Sequence, residues 1–156
     1  MAEVRLDHVT RKFGAHAAVN DLSLDVADGE FFVLLGPTGA GKTTTLRLIA
    51  GLDKPTVGHI RIGGVEVNDW SAAERDVALV LQQYSLYPRY TVRENLAFPL
   101  KSRVRRMAQP DIDQRIARAA KTLRIEHLLD RKTDRLSGGE MQRVSIGRAI
   151  VREPQV

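Results

Sequence analysis

One stretch of nine residues constrains this chain more than any other feature. It combines three glycines with a lysine and two threonines, in the order Gly36, Pro37, Thr38, Gly39, Ala40, Gly41, Lys42, Thr43, Thr44. The fixed positions fit the pattern G-x-x-x-x-G-K-[ST], in which backbone N–H groups surround a chain of phosphates. Glycines permit the tight turns and the close backbone approach that such a loop needs. The sequence therefore predicts a phosphate-binding loop over residues 36–44.

Two side chains at the end of the loop have predicted roles. Lys42 is expected to reach the β- and γ-phosphates as a point charge. The Thr43 hydroxyl is expected to hold Mg²⁺, which bridges the same two phosphates. A helix that starts here would turn its positive N-terminal end toward the anion.

The residues on either side of the loop occur in the order that this motif requires. Residues 31–35 are apolar throughout, which is typical of a strand buried on both faces. Apolar residues continue at helical spacing after the loop, and Gly51 is placed to end that helix. Residues 77–81 predict a second buried strand, which delivers Gln82 and Gln83 to the edge where parallel strands present ligand-binding groups.

Antiparallel structure is predicted elsewhere in the first half of the chain. Apolar and polar residues alternate over 3–7 and 22–26, which indicates two half-exposed strands. Residues 59–62 and 65–67 flank Gly63 and Gly64, which predicts a hairpin.

The second half of the chain predicts helices. Thr91 and Glu94 form the capping-box pattern that starts one helix, and Pro110 opens another that has one apolar face. Ser137, Gly138 and Gly139 precede a third helix that runs to about Ile150. A helix N-terminus of this kind offers a second anion site, although a flexible loop explains Ser-Gly-Gly equally well.

Composition excludes several classes of protein. The chain has 156 residues and 43% hydrophobic content, which suits one globular domain or part of a larger one. It has no cysteine, which excludes disulfides and thiol-bound metals and is compatible with the cytosol. Its apolar runs are far shorter than the ~20 residues that span a bilayer. The net charge of +5, with a cluster at Lys101, Arg103, Arg105 and Arg106, is interpreted as solvated surface rather than a nucleic-acid site.

Four motifs in this order resemble the nucleotide-binding subunit of an ABC (ATP-binding cassette) transporter. Residues 36–44 resemble its Walker A loop, 80–88 its Q-loop region and 136–149 its signature motif, and Phe13 matches the aromatic residue that stacks on adenine. Residues 51–58, 75–77 and 87–98 look most like the carbohydrate-importer branch, which takes up sugars, polyols or glycerol phosphates in bacteria.

The resemblance implies an α/β P-loop NTPase fold, specifically an incomplete ABC-type nucleotide-binding domain. Its antiparallel β subdomain and P-loop core would occupy about residues 1–85. The Q-loop region, the helical subdomain and the signature helix would occupy about residues 86–150. Residues 1–156 would then be the N-terminal part of one ABC ATPase domain.

The resemblance also implies a mechanism that uses ATP and Mg²⁺. Two subunits, identical or different, would enclose ATP head to tail, so that Ser137, Gly138 and Gly139 of one subunit contact the γ-phosphate held by the other. Gln82 would bind Mg²⁺ or the attacking water and, with Lys42, form the catalytic set. Residues 84–88, from Tyr84 to Pro88, would contact transmembrane permease subunits. The expected location is the cytoplasmic face of the bacterial inner membrane, peripherally bound, with a solute-binding protein as an indirect partner and no nucleic acid.

Two departures from the family pattern matter. Glu140 stands where glutamine is commoner, which keeps the hydrogen-bonding reach and adds a charge. The sequence stops at Val156, before the apolar strand and acidic pair that follow in the family. We therefore expect nucleotide binding without normal turnover, because loss of a general base typically costs ~10²–10⁴ in rate. The alternatives are a soluble ABC-type ATPase acting on DNA or ribosomes, and a non-catalytic nucleotide-binding fragment.

Overall fold

The structure, a computed structural model, describes residues 1–81, 83–101 and 107–156. The chain divides into two compact units. The first contains Met1–Leu79 together with Gln155–Val156, and the second contains Val80–Pro154.

An antiparallel sheet of four strands forms most of the first unit. The strands are β1 (Val4–Phe13), β2 (His16–Val26), β3 (Val57–Ile62) and β4 (Val65–Glu66), in the spatial order β2-β1-β3-β4. Alternating apolar side chains turn one face of this sheet inward, as the period-two pattern predicted. The buried side chains of this core are Val4, Leu6, Val9, Val19, Leu48, Ile60, Ile62 and Val67.

Helix α1 (Lys42–Ile49) packs its buried Leu48 into this core. Ala50 caps its C-terminus, and Gly51 follows with a φ of 73°, the left-handed conformation that glycine adopts without strain. The predicted helix end at Gly51 is therefore confirmed. The hairpin prediction is confirmed too, because Gly63 and Gly64 connect β3 to β4.

The two predicted buried strands are wrong for this chain. Residues 31–35 form no strand, and Phe31 is 92% exposed. Residues 77–81 form no strand either, although the Ala78 N–H donates to the Val156 carbonyl at 2.8 Å. A strand needs a hydrogen-bonded neighbour, and the described part of the chain pairs no other strand with residues 31–35. The apolar composition was identified correctly, but the partner that would bury it is not among these residues.

Three α-helices and three 3-10 turns build the described part of the second unit around its own core. Helix α2 (Val92–Ala97) continues into a 3-10 turn (Phe98–Leu100), and α3 (Gln109–Leu123) and α4 (Gly138–Ile150) pack beside it. Further 3-10 turns lie at Glu126–Leu128 and Thr133–Arg135. Its fully or almost fully buried side chains include Val92, Leu96, Leu100, Ile112, Ile116, Ile125, Leu128 and Val144.

Capping boxes start two of these helices, as local sequence signals dictate. Thr91 Oγ1 accepts the Glu94 N–H at 3.2 Å, and the Glu94 carboxylate accepts the Thr91 N–H at 2.7 Å. Ser137 and Glu140 repeat this arrangement at the start of α4. No helix within the described ranges is both long and apolar enough to cross a bilayer.

Candidate phosphate and nucleotide site

The glycine loop of residues 36–44 is a tight, well-defined turn in the first unit. The Ala40 N–H donates to the Pro37 carbonyl at 3.2 Å. Gly39 and Gly41 adopt φ angles of 86° and 82°, a region that side chains disfavour. A Cβ on Gly41 would lie 2.3 Å from the Ala18 carbonyl oxygen of β2. The loop therefore lies directly on β2, and only glycine fits at position 41.

The ammonium group of Lys42 is folded back into this loop. Its Nζ donates to the carbonyl oxygens of Gly36 and Pro37, both at 2.7 Å. These acceptors are neutral, so an anionic phosphate oxygen would form a stronger, charge-assisted hydrogen bond with the same ammonium. The loop thus holds the Lys42 ammonium against its own backbone carbonyls.

The N-terminus of α1 is open to an anion. Its N-cap is Gly41, no side chain accepts from its first-turn N–H groups, and no acidic residue lies in its first turn. Helices α2 and α4 differ, because a threonine or serine and a glutamate cap each of them. Uncapped first-turn N–H groups and the positive end of the helix dipole form an anion-binding site.

Two threonines in α1 have different environments. Thr45 is buried, and its hydroxyl donates to the Gly41 carbonyl at 3.0 Å, so it holds the first turn of the helix. Thr43 is exposed at the start of the helix, next to Lys42. Thr43 is therefore the hydroxyl that could contact an ion beside a bound phosphate. The described residues contain no group of three or more histidines, cysteines or carboxylates that could hold a metal by itself.

Phe13 lies at the hairpin end next to the loop. It pairs with His16 across the β1–β2 hairpin, and the loop contacts the same strand β2 at Ala18. The ring is 49% exposed, and the Arg11 guanidinium carbon lies 4.5 Å from its centroid. A cation over one face of an aromatic ring is a stabilising arrangement. Sequence reasoning missed Arg11, although its position two residues before Phe13 on one strand puts both side chains on the same face.

The signature stretch begins α4 in the second unit. The Glu140 carboxylate accepts the Ser137 N–H at 2.7 Å and the Ser137 hydroxyl at 2.8 Å. The hydrogen bond from the Ser137 backbone, then that from its hydroxyl, lowers the pKa of Glu140, with smaller contributions from Arg131 and Arg143. Glu140 is therefore negatively charged at neutral pH, directly beside the proposed second anion site.

The fold itself requires neither of the two glycines that follow Ser137. A Cβ on Gly138 would meet only the Tyr84 hydroxyl, at an ordinary 3.5 Å, and one on Gly139 would meet nothing within 4 Å. Neither residue has a positive φ. Glycine near the start of a helix costs up to about 1 kcal/mol relative to alanine. Packing within the described chain therefore offers no reason for these glycines.

Residues 84–88 form a loop held by α4. Ser145 Oγ donates to the Tyr84 carbonyl at 3.0 Å, and Arg148 Nη1 donates to the Ser85 carbonyl at 2.8 Å. Tyr87 contacts the Phe98 ring at a centroid distance of 4.5 Å, and both rings are more than a third exposed. The loop thus presents aromatic surface on the second unit.

Some predicted residues lie outside the described part of the chain. Gln82, expected to contact Mg²⁺ or water, is one of them, and so are Arg103, Arg105 and Arg106 of the basic cluster. The loop residues and Phe13 lie in the first unit, while Ser137, Gly138 and Gly139 lie in the second.

A cavity of about 700 Å³ in the first unit adjoins the loop, because Lys42 and Thr43 are among the residues that line it. Its walls are mainly apolar side chains, including Phe32, Val33, Leu46, Ile49 and Val77. Against these apolar walls a polyphosphate would lose its hydration without gaining hydrogen bonds, whereas Lys42 and Thr43 offer hydrogen-bond donors. The loop is therefore the better phosphate site.

Together, the antiparallel sheet and the glycine loop that opens α1 define a phosphate-loop protein of the nucleoside-triphosphate-binding class. The ABC transporter family matches residues 19–156. The chain belongs to the ABC transporter family.

Several curated relatives are named as import ATP-binding proteins. The trehalose import ATP-binding protein SugC of Mycobacterium tuberculosis is 52% identical over 156 residues, which are 99% of this chain and 39% of SugC. The sn-glycerol-3-phosphate import ATP-binding protein UgpC of Brucella abortus is 54% identical over 155 residues, 99% of this chain and 44% of UgpC. The chain thus spans about two fifths of the length of these relatives.

Solved structures confirm the predicted fold class. A dimeric ATP-binding cassette in a post-hydrolysis state, bound to ADP and Pi, is 35% identical with a TM-score of 0.81, over 97% of this chain and 70% of that one. CbiO1 of Clostridium perfringens, part of an ABC transporter complex, is 25% identical with a TM-score of 0.87, over 97% and 62%. The fold is an incomplete ABC nucleotide-binding domain.

Proposed function

We propose that this chain is the nucleotide-binding part of an ABC transporter subunit that couples ATP binding and hydrolysis to solute import. The observation that carries the proposal is the open N-terminus of α1, with the Lys42 ammonium folded into the glycine loop. Uncapped first-turn N–H groups together with one lysine ammonium suit an anionic phosphate chain.

The side chains of the first unit have separate roles in this proposal. Lys42 would exchange its two carbonyl acceptors for β- and γ-phosphate oxygens, and the exposed Thr43 hydroxyl would help to hold Mg²⁺. Phe13 stacks on adenine with the ring face that Arg11 does not cover. Mg·ATP, when bound, supplies the γ-phosphoryl group and the counter-charge that phosphoryl transfer needs.

A second subunit completes the site through Ser137, Gly138 and Gly139. Support comes from the two glycines, which lack a packing reason within this chain but would let another molecule approach the backbone closely. The dimeric state of a related cassette is consistent with it. ATP then favours the closed dimer, because only that state makes both sets of contacts.

Turnover by these 156 residues alone is proposed to be slow. The acidic pair that the family resemblance places after an apolar strand is not in this sequence. Lys42 and the loop bind and orient phosphate, and Gln82 would help to place a water molecule, but neither removes its proton efficiently.

The proposed solute is a sugar or a related carbohydrate. The relatives named for trehalose and glycerol-3-phosphate import are more than half identical over nearly the whole chain. Transmembrane permease subunits are proposed to contact residues 84–88, where Tyr87 presents an exposed ring. The subunit would act at the cytoplasmic face of the inner membrane, with a solute-binding protein as an indirect partner.

A fluorescent ATP analogue titrated with Mg²⁺, with phosphate release measured on the same sample, tests the proposal. Lys42→Ala should weaken binding at least about tenfold, since charge-assisted hydrogen bonds contribute ~1.5–3 kcal/mol. Lys54→Ala is the matched control, because Lys54 is an exposed lysine of the same unit that pairs with Asp69. Binding that is equal in all three proteins would contradict the proposed site.

A further inference from the structure

Arg75 is the largest fully buried side chain that the proposed mechanism does not use. It is 2% exposed, and burial lowers the pKa of its guanidinium. Arginine nevertheless stays protonated in proteins. A buried cation of this kind needs partners, and which partners it has determines what it does.

The partners of Arg75 are backbone carbonyls, two of which lie at the C-terminal end of α1. Nη1 donates to the Leu48 carbonyl at 2.6 Å and to the Ile49 carbonyl at 3.1 Å. Nε donates to the Trp70 carbonyl at 3.3 Å. The last carbonyls of a helix lack intrahelical partners and carry the negative end of its dipole. Arg75 therefore neutralises and anchors this helix end.

The chain leaving α1 is wrapped tightly around this guanidinium. A Cβ on Gly51 would lie 2.8 Å from Arg75 Nε and 3.1 Å from the Ala72 backbone. The backbone at Gly51 therefore passes so close to Arg75 and Ala72 that a side chain does not fit between them. Arg75 thus joins the C-terminus of α1 to residues 70–75, which lie beyond β4.

The other end of the same helix is the phosphate site. Helix α1 has 8 residues, so at 1.5 Å per residue it is about 12 Å long. Because the helix is so short, a rotation of its C-terminal end also changes the direction of its first-turn N–H groups and the position of Lys42. Charge-assisted hydrogen bonds to phosphate depend strongly on direction.

We infer that Arg75 is a positioning residue for phosphate binding: it holds the C-terminus of α1 so that Lys42 and the N-terminal N–H groups point at the β- and γ-phosphates. This inference rests on the proposed function. It goes beyond it by assigning a role in that site to a buried residue 33 positions after Lys42 in the sequence.

A purely structural role makes a different prediction. If Arg75 only stabilised the fold, its loss would reduce the folded fraction of the protein. The apparent affinity for every ligand would then fall by the same factor. A positioning role instead predicts a larger loss of affinity for ligands that have β- and γ-phosphates than for ligands that lack them. The ratio of two dissociation constants therefore separates the two roles, because the folded fraction cancels.

The experiment compares ATP and AMP analogues that carry the same fluorophore, on the wild-type chain, Arg75→Gln and Arg75→Lys. For Arg75→Gln, the Kd of the ATP analogue should rise about 10- to 100-fold, equal to losing one charged hydrogen bond. The Kd of the AMP analogue, measured on the same folded samples, should rise less than about threefold. Arg75→Lys, which keeps the charge, should shift the ratio in the same direction by less.

Arg47→Gln is the matched control. Arg47 lies in the last turn of the same helix, but its side chain is exposed and pairs with Asp53 at 2.6 Å. Its replacement should leave the ratio unchanged. Circular dichroism on the same samples reports folding, and if Arg75→Gln is unfolded, Arg75→Lys provides the ratio.

The outcomes separate the two proposals. Wild-type protein that binds the ATP analogue without dependence on Lys42 would overturn the proposed function. Lys42-dependent binding with an unchanged ATP-to-AMP ratio in Arg75→Gln and Arg75→Lys would overturn only the role of Arg75.

Discussion

Replacing Gly41 by alanine tests whether the loop geometry itself creates the phosphate site. Two penalties apply at this position. A side chain in the left-handed region costs roughly 1–2 kcal/mol, and Gly41 has a φ of 82°. The new Cβ would also lie 2.3 Å from the Ala18 carbonyl oxygen, a backbone atom that cannot rotate away. Overpacking of this kind costs about 1–3 kcal/mol.

Gly39→Ala isolates the first penalty from the second. Gly39 has a similar φ of 86°, but a Cβ there would meet nothing within 4 Å. We expect Gly39→Ala to lower the free energy of unfolding by about 1–2 kcal/mol. Gly41→Ala should lower it by about 2–5 kcal/mol, or lose ATP binding if the loop moves off β2 to relieve the contact.

Urea unfolding monitored by tryptophan fluorescence provides the assay. The chain has one tryptophan, Trp70, which lies in the first unit and therefore reports on the unit that holds the loop. ATP-analogue titration on the same samples measures the site. If Gly41→Ala were as stable as Gly39→Ala and bound ATP like wild type, the close packing of the loop on β2 would be refuted.

Three further predictions concern the helix caps. Gly139→Ala should raise the stability of α4 by up to about 1 kcal/mol in thermal unfolding, while reducing the ATP-driven dimerisation seen by light scattering; reduced stability would contradict it. Glu140→Gln keeps the cap but removes a negative charge beside the proposed γ-phosphate contact, so dimerisation should need about 3- to 10-fold less ATP. Glu94→Gln, in the matching cap of α2, is the control and should leave the ATP concentration needed for dimerisation unchanged. Capping hydrogen bonds from Thr91 and Ser137, backbone first, lower the pKa of Glu94 and Glu140. Their stabilisation is present above the unfolded pKa and lost as pH falls through the folded pKa, so circular dichroism in acid should show less helix loss in the double glutamine variant.

Local signals in the sequence were sufficient for the helix starts and the hairpin. The Thr91 and Glu94 cap, the Gly51 helix end and the Gly63–Gly64 turn each depend on residues within four positions of one another. Helix caps and turns formed by residues so close in the chain follow from the local sequence. The tight turn of the glycine loop has the same local origin, while its binding of phosphate stays a prediction.

Features that depend on distant residues could not be predicted in the same way. Residues 31–35 have the composition of a buried strand but no strand partner among the described residues, so Phe31 is exposed. The bonds from Arg75 to the Leu48 carbonyl and from Ser145 to the Tyr84 carbonyl join residues 27 and 61 positions apart. Only tertiary structure reveals such contacts, whereas the Ser137 and Glu140 cap was readable and was overlooked.

The central claim is that residues 36–44 bind phosphate, and glycine NMR tests it most directly. The chain has 12 glycines, so ¹⁵N-glycine labelling gives a spectrum simple enough to assign. Adding Mg·ATP should shift the amide signals of Gly36, Gly39 and Gly41. The signals of Gly63 and Gly64, in the hairpin between β3 and β4, should stay in place. Shifts confined to the hairpin, or loop signals unmoved at saturating ATP, would contradict the account.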